Sequence, residues 1–215
     1  MAGLRADGGG WVRPVSGSGR GELRGKQYIY PSGKELAPMD LMQVQVDEHR
    51  PIRYQAENWL ISNEPWTFLE RPAPLSLASI VKGAIVTKAP LLGCFRDRRA
   101  LSDFPPDRHA PSLALVAPVK ARWEARRTDR NPKQIRCQFD LGTSSYDLVV
   151  TDLEWIKRFN TLALGHYEPA AVGLKATDRP LLCISVGEPL NGSCYLLVAA
   201  VIVLNASWRK ALYAT

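Results

Sequence analysis

The chain has 215 residues, of which 46% are hydrophobic and 23% are charged, and its formal net charge is +7. This composition is typical of globular proteins, and the length is sufficient for one large domain or two small ones. The apolar run Tyr195 to Leu204 has ten residues, well short of the roughly 20 that a membrane-spanning helix needs, which excludes such a helix there.

The positive charge is concentrated in one part of the chain. Residues 111–140 hold 7 Lys and Arg against 3 Asp and Glu, whereas residues 141–215 hold 6 of each. A local excess of this size favours an anionic partner more than an evenly spread charge does. The alternative is an ordinary basic strand face in contact with solvent.

Short strands around one helix are predicted for the first half of the chain, with Gly, Pro and Asp marking the boundaries. The predicted strands are Gly10 to Val15, Leu41 to Val46, Trp66 to Leu69 and Ala84 to Thr87, and the predicted helix is Pro74 to Val81. The proline-rich stretch that follows, Lys88 to Pro111, is typical of a linker or a long loop.

The second half opens on the clearest periodicity in the chain. Ala121, Trp123 and Ala125 alternate with charged residues, and Ile135, Cys137, Phe139 and Leu141 alternate with polar ones. The alternation predicts strands with one buried and one basic face, and it places Trp123 in the core. The resulting three-stranded meander comprises 113–126, 134–141 and 145–151.

A helix and two strands are predicted after the meander. Thr151 and Glu154 form a capping box that opens an amphipathic helix containing Leu153, Ile156 and Phe159. Two apolar strands then follow, Leu181 to Val186 and Cys194 to Leu204. Three meander strands, a helix and two closing strands is the order of an OB-like barrel, with other small barrels as alternatives.

Several sequence blocks carry a more specific resemblance. In chain order they are Gly10-Trp11-Val12-Arg13-Pro14-Val15-Ser16, Tyr54-Gln55-Ala56-Glu57-Asn58-Trp59-Leu60, Tyr146-Asp147-Leu148-Val149-Val150-Thr151-Asp152-Leu153-Glu154-Trp155, Cys183-Ile184-Ser185-Val186-Gly187-Glu188-Pro189 and Cys194-Tyr195-Leu196-Leu197-Val198-Ala199-Ala200-Val201-Ile202. Together they resemble the bacterial dual OB-containing domain family over nearly the whole chain, to about Ile202.

The resemblance implies a mainly β protein with two tandem OB-like barrels, the second with its capped helix between the third and fourth strands. We therefore expect an N-terminal OB-like domain at 1–90, a linker at 91–111, a C-terminal OB-like domain at 112–204 and a tail at 205–215, either a short helix or disordered. Family members usually begin with a further strand. Either the first barrel lacks its first strand, or the start codon is assigned too late.

Nucleic-acid binding or sensing is the function that the resemblance implies. OB surfaces hold single strands with cationic side chains for the phosphates and aromatic faces for the bases. The candidate residues in the first barrel are Trp11, Arg13, Tyr54 and Asn58, each with a structural role as the alternative. In the second barrel they are Lys120, Arg122, Arg126 and Arg136 on the exposed face of the meander, with Arg127 and Arg130 near the turn.

The sequence contains none of the common catalytic or metal-binding motifs, so we expect neither an enzyme nor a cofactor or metal site. Cys94, Cys137, Cys183 and Cys194 lack CxxC spacing and are interpreted as buried thiols of a cytoplasmic protein. We expect single-stranded DNA or RNA as the partner and no membrane. The alternatives are a protein-interaction scaffold with partner proteins, or a reader of small ligands or modified nucleotides in a multi-component bacterial system.

Overall fold

The computed structural model describes residues 1–17, 21, 23, 37–129 and 131–213. Its helices are α1 (Pro74–Ala84), α2 (Leu153–Lys157) and α3 (Ala206–Tyr213). Its strands are β1 (Gly3–Leu4), β2 (Trp11–Val15), β3 (Leu41–Gln43), β4 (Val46–His49), β5 (Asn58–Ile61), β6 (Thr67–Glu70), β7 (Ile85–Val86), β8 (Arg98–Ala100), β9 (Leu113–Val116), β10 (Ala121–Thr128), β11 (Asn131–Leu141), β12 (Ser144–Val150), β13 (Gly165–Tyr167), β14 (Leu181–Val186) and β15 (Ser193–Ile202). No helix in these ranges is long and apolar enough to cross a membrane.

The larger sheet has the order β13-β10-β11-β12-β15-β14-β9-β7, with β8 also paired to β15. The predicted hairpin is confirmed, since Ala121 faces Phe139, Trp123 faces Cys137 and Ala125 faces Ile135 across β10 and β11. These side chains are buried in one core with residues of β12, β14 and β15. Among the described residues, no hydrogen bonds pair the two edge strands, β13 and β7, with each other. This sheet is therefore open and not closed into a barrel.

The prediction of one continuous strand over 113–126 is wrong. Residues 113–116 form β9, which pairs with β14, whereas β10 begins at Ala121 and pairs with β11. Pro118 lies between the two strands and has no N–H to donate to a ladder, so it interrupts the pairing. Val119, which shares the apolar phase of β10, is 96% exposed.

Strand β14 is buried on both faces and lies between two apolar clusters. Leu182, Ile184 and Val186 belong to the core of the larger sheet. Leu181 and Cys183 belong to a second cluster, which α1 and α3 complete with their own apolar side chains. The tail thus contains a helix, and the buried Trp208 fixes α3 against the sheet.

The helix predicted at Thr151 is present but is shorter and capped differently. Asp152 is the N-cap residue, and its Oδ1 accepts a hydrogen bond from the Trp155 amide at 3.0 Å. The Thr151 amide donates instead to the Val198 carbonyl, so Thr151 still belongs to the end of the sheet. The predicted capping box is therefore wrong by one residue at its start, and α2 ends at Lys157.

The sheet of the first half repeats part of this topology. Its order is β1-β2-β5-β4, and β2 and β5 are parallel. In the larger sheet the order β11-β12-β15-β14 likewise contains one parallel pair, β12 and β15. The described residues place no strand beside β1 that would correspond to β10.

The two sheets are joined by hydrogen bonds at residues 110–113. The carboxylate of Glu57 accepts from the Ser112 amide at 2.8 Å, the Ser112 hydroxyl at 2.6 Å and the Leu113 amide at 3.3 Å. The Ala56 amide donates to the Ala110 carbonyl at 3.0 Å. We call these contacts the junction. Glu57 thereby holds the start of β5 against the start of β9.

Residues 91–111, which the sequence predicts as a linker, contribute to the core of the larger sheet. Leu91, Cys94 and Phe104 are buried there. Strand β8 pairs with the start of β15. The proline content therefore marks a segment of irregular backbone that is nevertheless closely packed.

Replacing Glu57 by alanine is expected to destabilise the protein by about 2 kcal/mol, because it leaves two amides and a hydroxyl at the junction without their acceptor. Equilibrium urea denaturation measures the change. The matched control is Glu64→Ala, since Glu64 is exposed. A loss for Glu57→Ala no larger than that of the control would show that the junction does not contribute to stability.

The four cysteines are expected to resist a thiol reagent in the native state. All four are buried, and burial raises the pKa of each thiol, that of Cys183 to about 11. Because the reactive thiolate is scarce below a raised pKa, labelling at pH 8 is slow. Absorbance titration with an aromatic disulfide reagent should reveal all four thiols only in denaturant. Rapid labelling of any of them in the folded protein would contradict the structure.

Candidate nucleic-acid interface

The charged side chains of β10, β11 and β12 share the outer face of the larger sheet, opposite its core. Their cross-strand partners are Arg122 with Gln138, Glu124 with Arg136 and Arg126 with Gln134. On the next strand, Gln138 faces Asp147 and Arg136 faces Val149. Because cross-strand partners point to the same side, these residues form one surface, which we call the outer face.

Arg136 is not the exposed cation that the alternation predicts. Only 6% of the residue is exposed. Its Nε donates to Asp147 Oδ1 at 2.6 Å, its Nη2 donates to the Asp147 carbonyl, and Asp97 Oδ2 lies 3.8 Å from Nη2. The prediction of a freely accessible Arg136 is therefore wrong, because two carboxylates enclose its guanidinium on the sheet.

Arg126 belongs to the same network of ion pairs. Its Nη1 lies 3.4 Å from Asp147 Oδ2 and 3.5 Å from Glu124 Oε2. Glu124 also accepts a hydrogen bond from Gln138 at 3.3 Å. The network therefore compensates much of the positive charge that the sequence places on this face.

Lys120 and Arg122 are the accessible cations of the predicted set. Both residues are exposed. The Nε of Arg122 lies 3.9 Å from Glu168 Oε1, and 64% of the Arg122 side chain and 77% of the Glu168 side chain remain exposed. Such a long, solvated pair contributes little and is readily replaced by another anion. Arg127 is exposed near the end of β10, and Arg130 lies outside the described residues.

Arg13 lies at the junction. Its Nη2 donates to the hydroxyls of Ser112 at 2.8 Å and Ser185 at 3.2 Å. Its Nε is buried, and no described residue accepts a hydrogen bond from it. Burial lowers the pKa of Arg13, an effect that the nearby charge of Glu57 opposes. Arg13 thus bridges the two sheets.

Tyr54, Asn58 and Trp11 also lie between elements of the structure. Tyr54 meets Phe104 edge to face at 6.3 Å, and burial raises the pKa of the Tyr54 phenol. Asn58 is buried and donates to Gln55 Oε1 at 3.2 Å. Trp11 is half-buried against the cluster that contains α1 and α3. For each of these three residues, the sequence left a structural role open as the alternative to nucleic-acid binding. The contacts correspond to that structural role.

A cleft of about 460 Å³ lies between β2 of the first sheet and β14 and β15 of the larger sheet. The residues that line it include Arg13, Gln55, Ser185, Glu188 and Leu197. Leu197 pairs with Val149 on β12 and with Ser185 on β14. Through Leu197 and Val149 the lining of the cleft is connected to the strand pair that carries Arg136.

The structure adds residues that the sequence did not single out. Phe95, Arg96 and Arg98 are exposed within the segment predicted as a linker. Their signal is visible in the sequence as an aromatic residue followed by three arginines and an aspartate. The partners Glu57, Asp97 and Asp147 could not be found in this way, because each acts on a residue far from it in the chain.

Within the described ranges, no three His, Cys, Asp or Glu side chains lie close enough to hold a metal ion. His49 contacts the Ala56 carbonyl through Nε2 at 2.8 Å and stacks on Trp59 with ring centroids 4.7 Å apart. His166 faces Glu124 across β13 and β10. Each of these histidines therefore has its own local partner.

In a comparison with known protein families, the chain matches the model of the dual OB-containing domain over residues 1–201. No curated protein and no solved structure shows significant similarity to the chain. The match spans both sheets, and it accords with the parallel strand pair that each of them contains. The chain therefore belongs to the dual OB-containing domain family.

Proposed function

We propose that the chain is a non-catalytic nucleic-acid-binding or nucleic-acid-sensing module that holds a single strand of DNA or RNA on the outer face. The observation that supports this most is the position of the accessible cations. Lys120 directly precedes β10, the first strand of the second OB unit, and Arg122 lies near the start of that strand, which pairs with β11. In OB folds, the face of strands 2 and 3 is where oligonucleotides lie.

The ion pairs of the outer face determine the character of the binding. Arg126 and Arg136 are already compensated by Glu124, Asp97 and Asp147. They therefore position neighbouring side chains more than they neutralise phosphates. Lys120, Arg122 and Arg127 are the available cations of this region and neutralise about three phosphates. These contacts alone contribute about −2 to the slope of log K against log salt for a single strand.

The cleft supports a second candidate, a small-ligand or modified-nucleotide reader. Its volume of about 460 Å³ lies in the range of small-molecule sites. Arg13 lines the cleft and donates to the hydroxyls of Ser112 and Ser185. Oligonucleotide length distinguishes the two candidates. Affinity that rises from one nucleotide to about eight indicates the outer face, whereas affinity that saturates with a mononucleotide indicates the cleft.

The double variant Lys120→Gln, Arg122→Gln tests the outer face. Loss of two phosphate contacts should weaken binding of a fluorescein-labelled single strand and reduce the magnitude of the salt slope by about 1.4. Fluorescence anisotropy at several salt concentrations, with single-stranded DNA, duplex DNA and RNA, measures both effects.

Lys175→Gln is the single-charge control, because Lys175 is exposed near Asp178, which pairs with Arg209 of α3. It should leave the salt slope unchanged. Wild-type protein that binds none of the three nucleic acids at low salt would contradict the proposed function. An unchanged slope in the double variant would place the ligand elsewhere on the protein.

A further inference from the structure

Phe95 is an exposed aromatic side chain that is followed in the sequence by Arg96 and Arg98. The residue is 65% exposed. Arg96 and Arg98 are exposed as well. An exposed phenyl ring costs free energy in water, whereas an exposed ring with two arginines within three residues of it in the sequence is suited to a ligand that combines planar apolar faces with negative charge.

The turn that precedes Phe95 is fixed by hydrogen bonds to a residue of the core. The amides of Leu91 and Cys94 each donate to the other residue's carbonyl, at 3.0 and 2.9 Å. The Tyr146 hydroxyl accepts from the Leu91 amide at 3.0 Å and donates to the Cys94 carbonyl at 2.9 Å. Leu91, Cys94 and Tyr146 are all buried. The ring of Phe95 therefore projects from a fixed backbone, which reduces the entropy lost when a ligand stacks on it.

The residues after Phe95 connect the turn to the outer face. The Leu196 amide donates to the Asp97 carbonyl at 2.8 Å, and Asp97 lies 3.8 Å from Arg136. Arg98 faces Tyr195 across β8 and β15, and a hydrogen bond between the two side chains raises the pKa of Arg98. Phe95 is two residues from Asp97, so their Cα atoms are at most about 7 Å apart. Phe95 thus lies at the margin of the outer face.

We infer that Phe95 is a base-stacking platform for the single strand, with Arg96 and Arg98 contacting the phosphates on either side of the stacked base. The inference rests on the proposed function and names a contact that the strand makes where it leaves the outer face. Stacking on an aromatic ring tolerates any base. The platform therefore adds affinity without sequence preference, and the arginines add salt dependence.

Phe95→Ala tests the platform, with Leu75→Ala as the matched control, since Leu75 is 81% exposed on α1. We expect Phe95→Ala to weaken binding of a single-stranded oligonucleotide about ten-fold without changing the salt slope. An oligonucleotide of the same length built from abasic sites should bind the wild-type protein and Phe95→Ala equally. Phe95→Trp should retain affinity, and the new indole should be quenched on binding.

The arginines are tested separately by charge removal. Arg96→Gln and Arg98→Gln should each reduce the magnitude of the salt slope by about 0.7. Thermal unfolding should be unchanged in all of these variants, because the replaced side chains are exposed.

Two failures are distinguishable. Wild-type protein that binds no nucleic acid would overturn the proposed function and this inference with it. Wild-type protein that binds a single strand while Phe95→Ala binds it equally well would overturn the inference alone. Equal weakening of the normal and abasic strands by Phe95→Ala would also overturn it, since that result indicates a contact other than base stacking.

Discussion

The contact of Glu57 with Ser112 and Leu113 is the constraint on which the rest of the arrangement depends. One carboxylate satisfies two amides and a hydroxyl at the point where β9 begins. Polar groups that leave water need partners, so these hydrogen bonds determine where the first sheet can lie against the second. Arg13 then reaches Ser112 and Ser185 from β2, and the cleft opens beside it.

The junction explains why polar and aromatic residues of the first half differ in role from those of the second. Arg13, Tyr54 and Asn58 have the chemistry of a binding site, yet each contacts other parts of the protein. Accessible cationic and aromatic side chains occur instead around the larger sheet, at Arg122 and Phe95. In our proposal, the first OB unit supports the second, and the second presents the binding surface.

Local patterns in the sequence predicted those features that depend on neighbouring residues. The alternation of Ala121, Trp123 and Ala125 predicted a buried strand face, because side chains two apart point the same way. What depends on distant residues was not predictable from one sequence. Arg136 occupies a polar position in the alternation of β11, which predicts an exposed side chain. Asp147 and Asp97 instead enclose its guanidinium.

The segment 91–111 is a second example of packing that could not be predicted from the sequence alone. Its prolines predict irregular backbone, which is present, but they carry no information on packing. Burial of Leu91 depends on Tyr146, whose hydroxyl lies 55 residues away in sequence from the amide that it binds. The Phe95-Arg96 pair was visible in the sequence, and only its fixed exposure on the folded chain distinguishes it from an ordinary loop.

The central claim is that nucleic acid contacts the outer face and its margin, while the junction is structural. Photo-crosslinking to a single strand that contains 5-bromodeoxyuridine, followed by mass spectrometry of the crosslinked peptides, tests it most directly. We predict crosslinks within residues 91–100 and 120–127. Crosslinks confined to residues 11–17 and 54–58 would contradict the account.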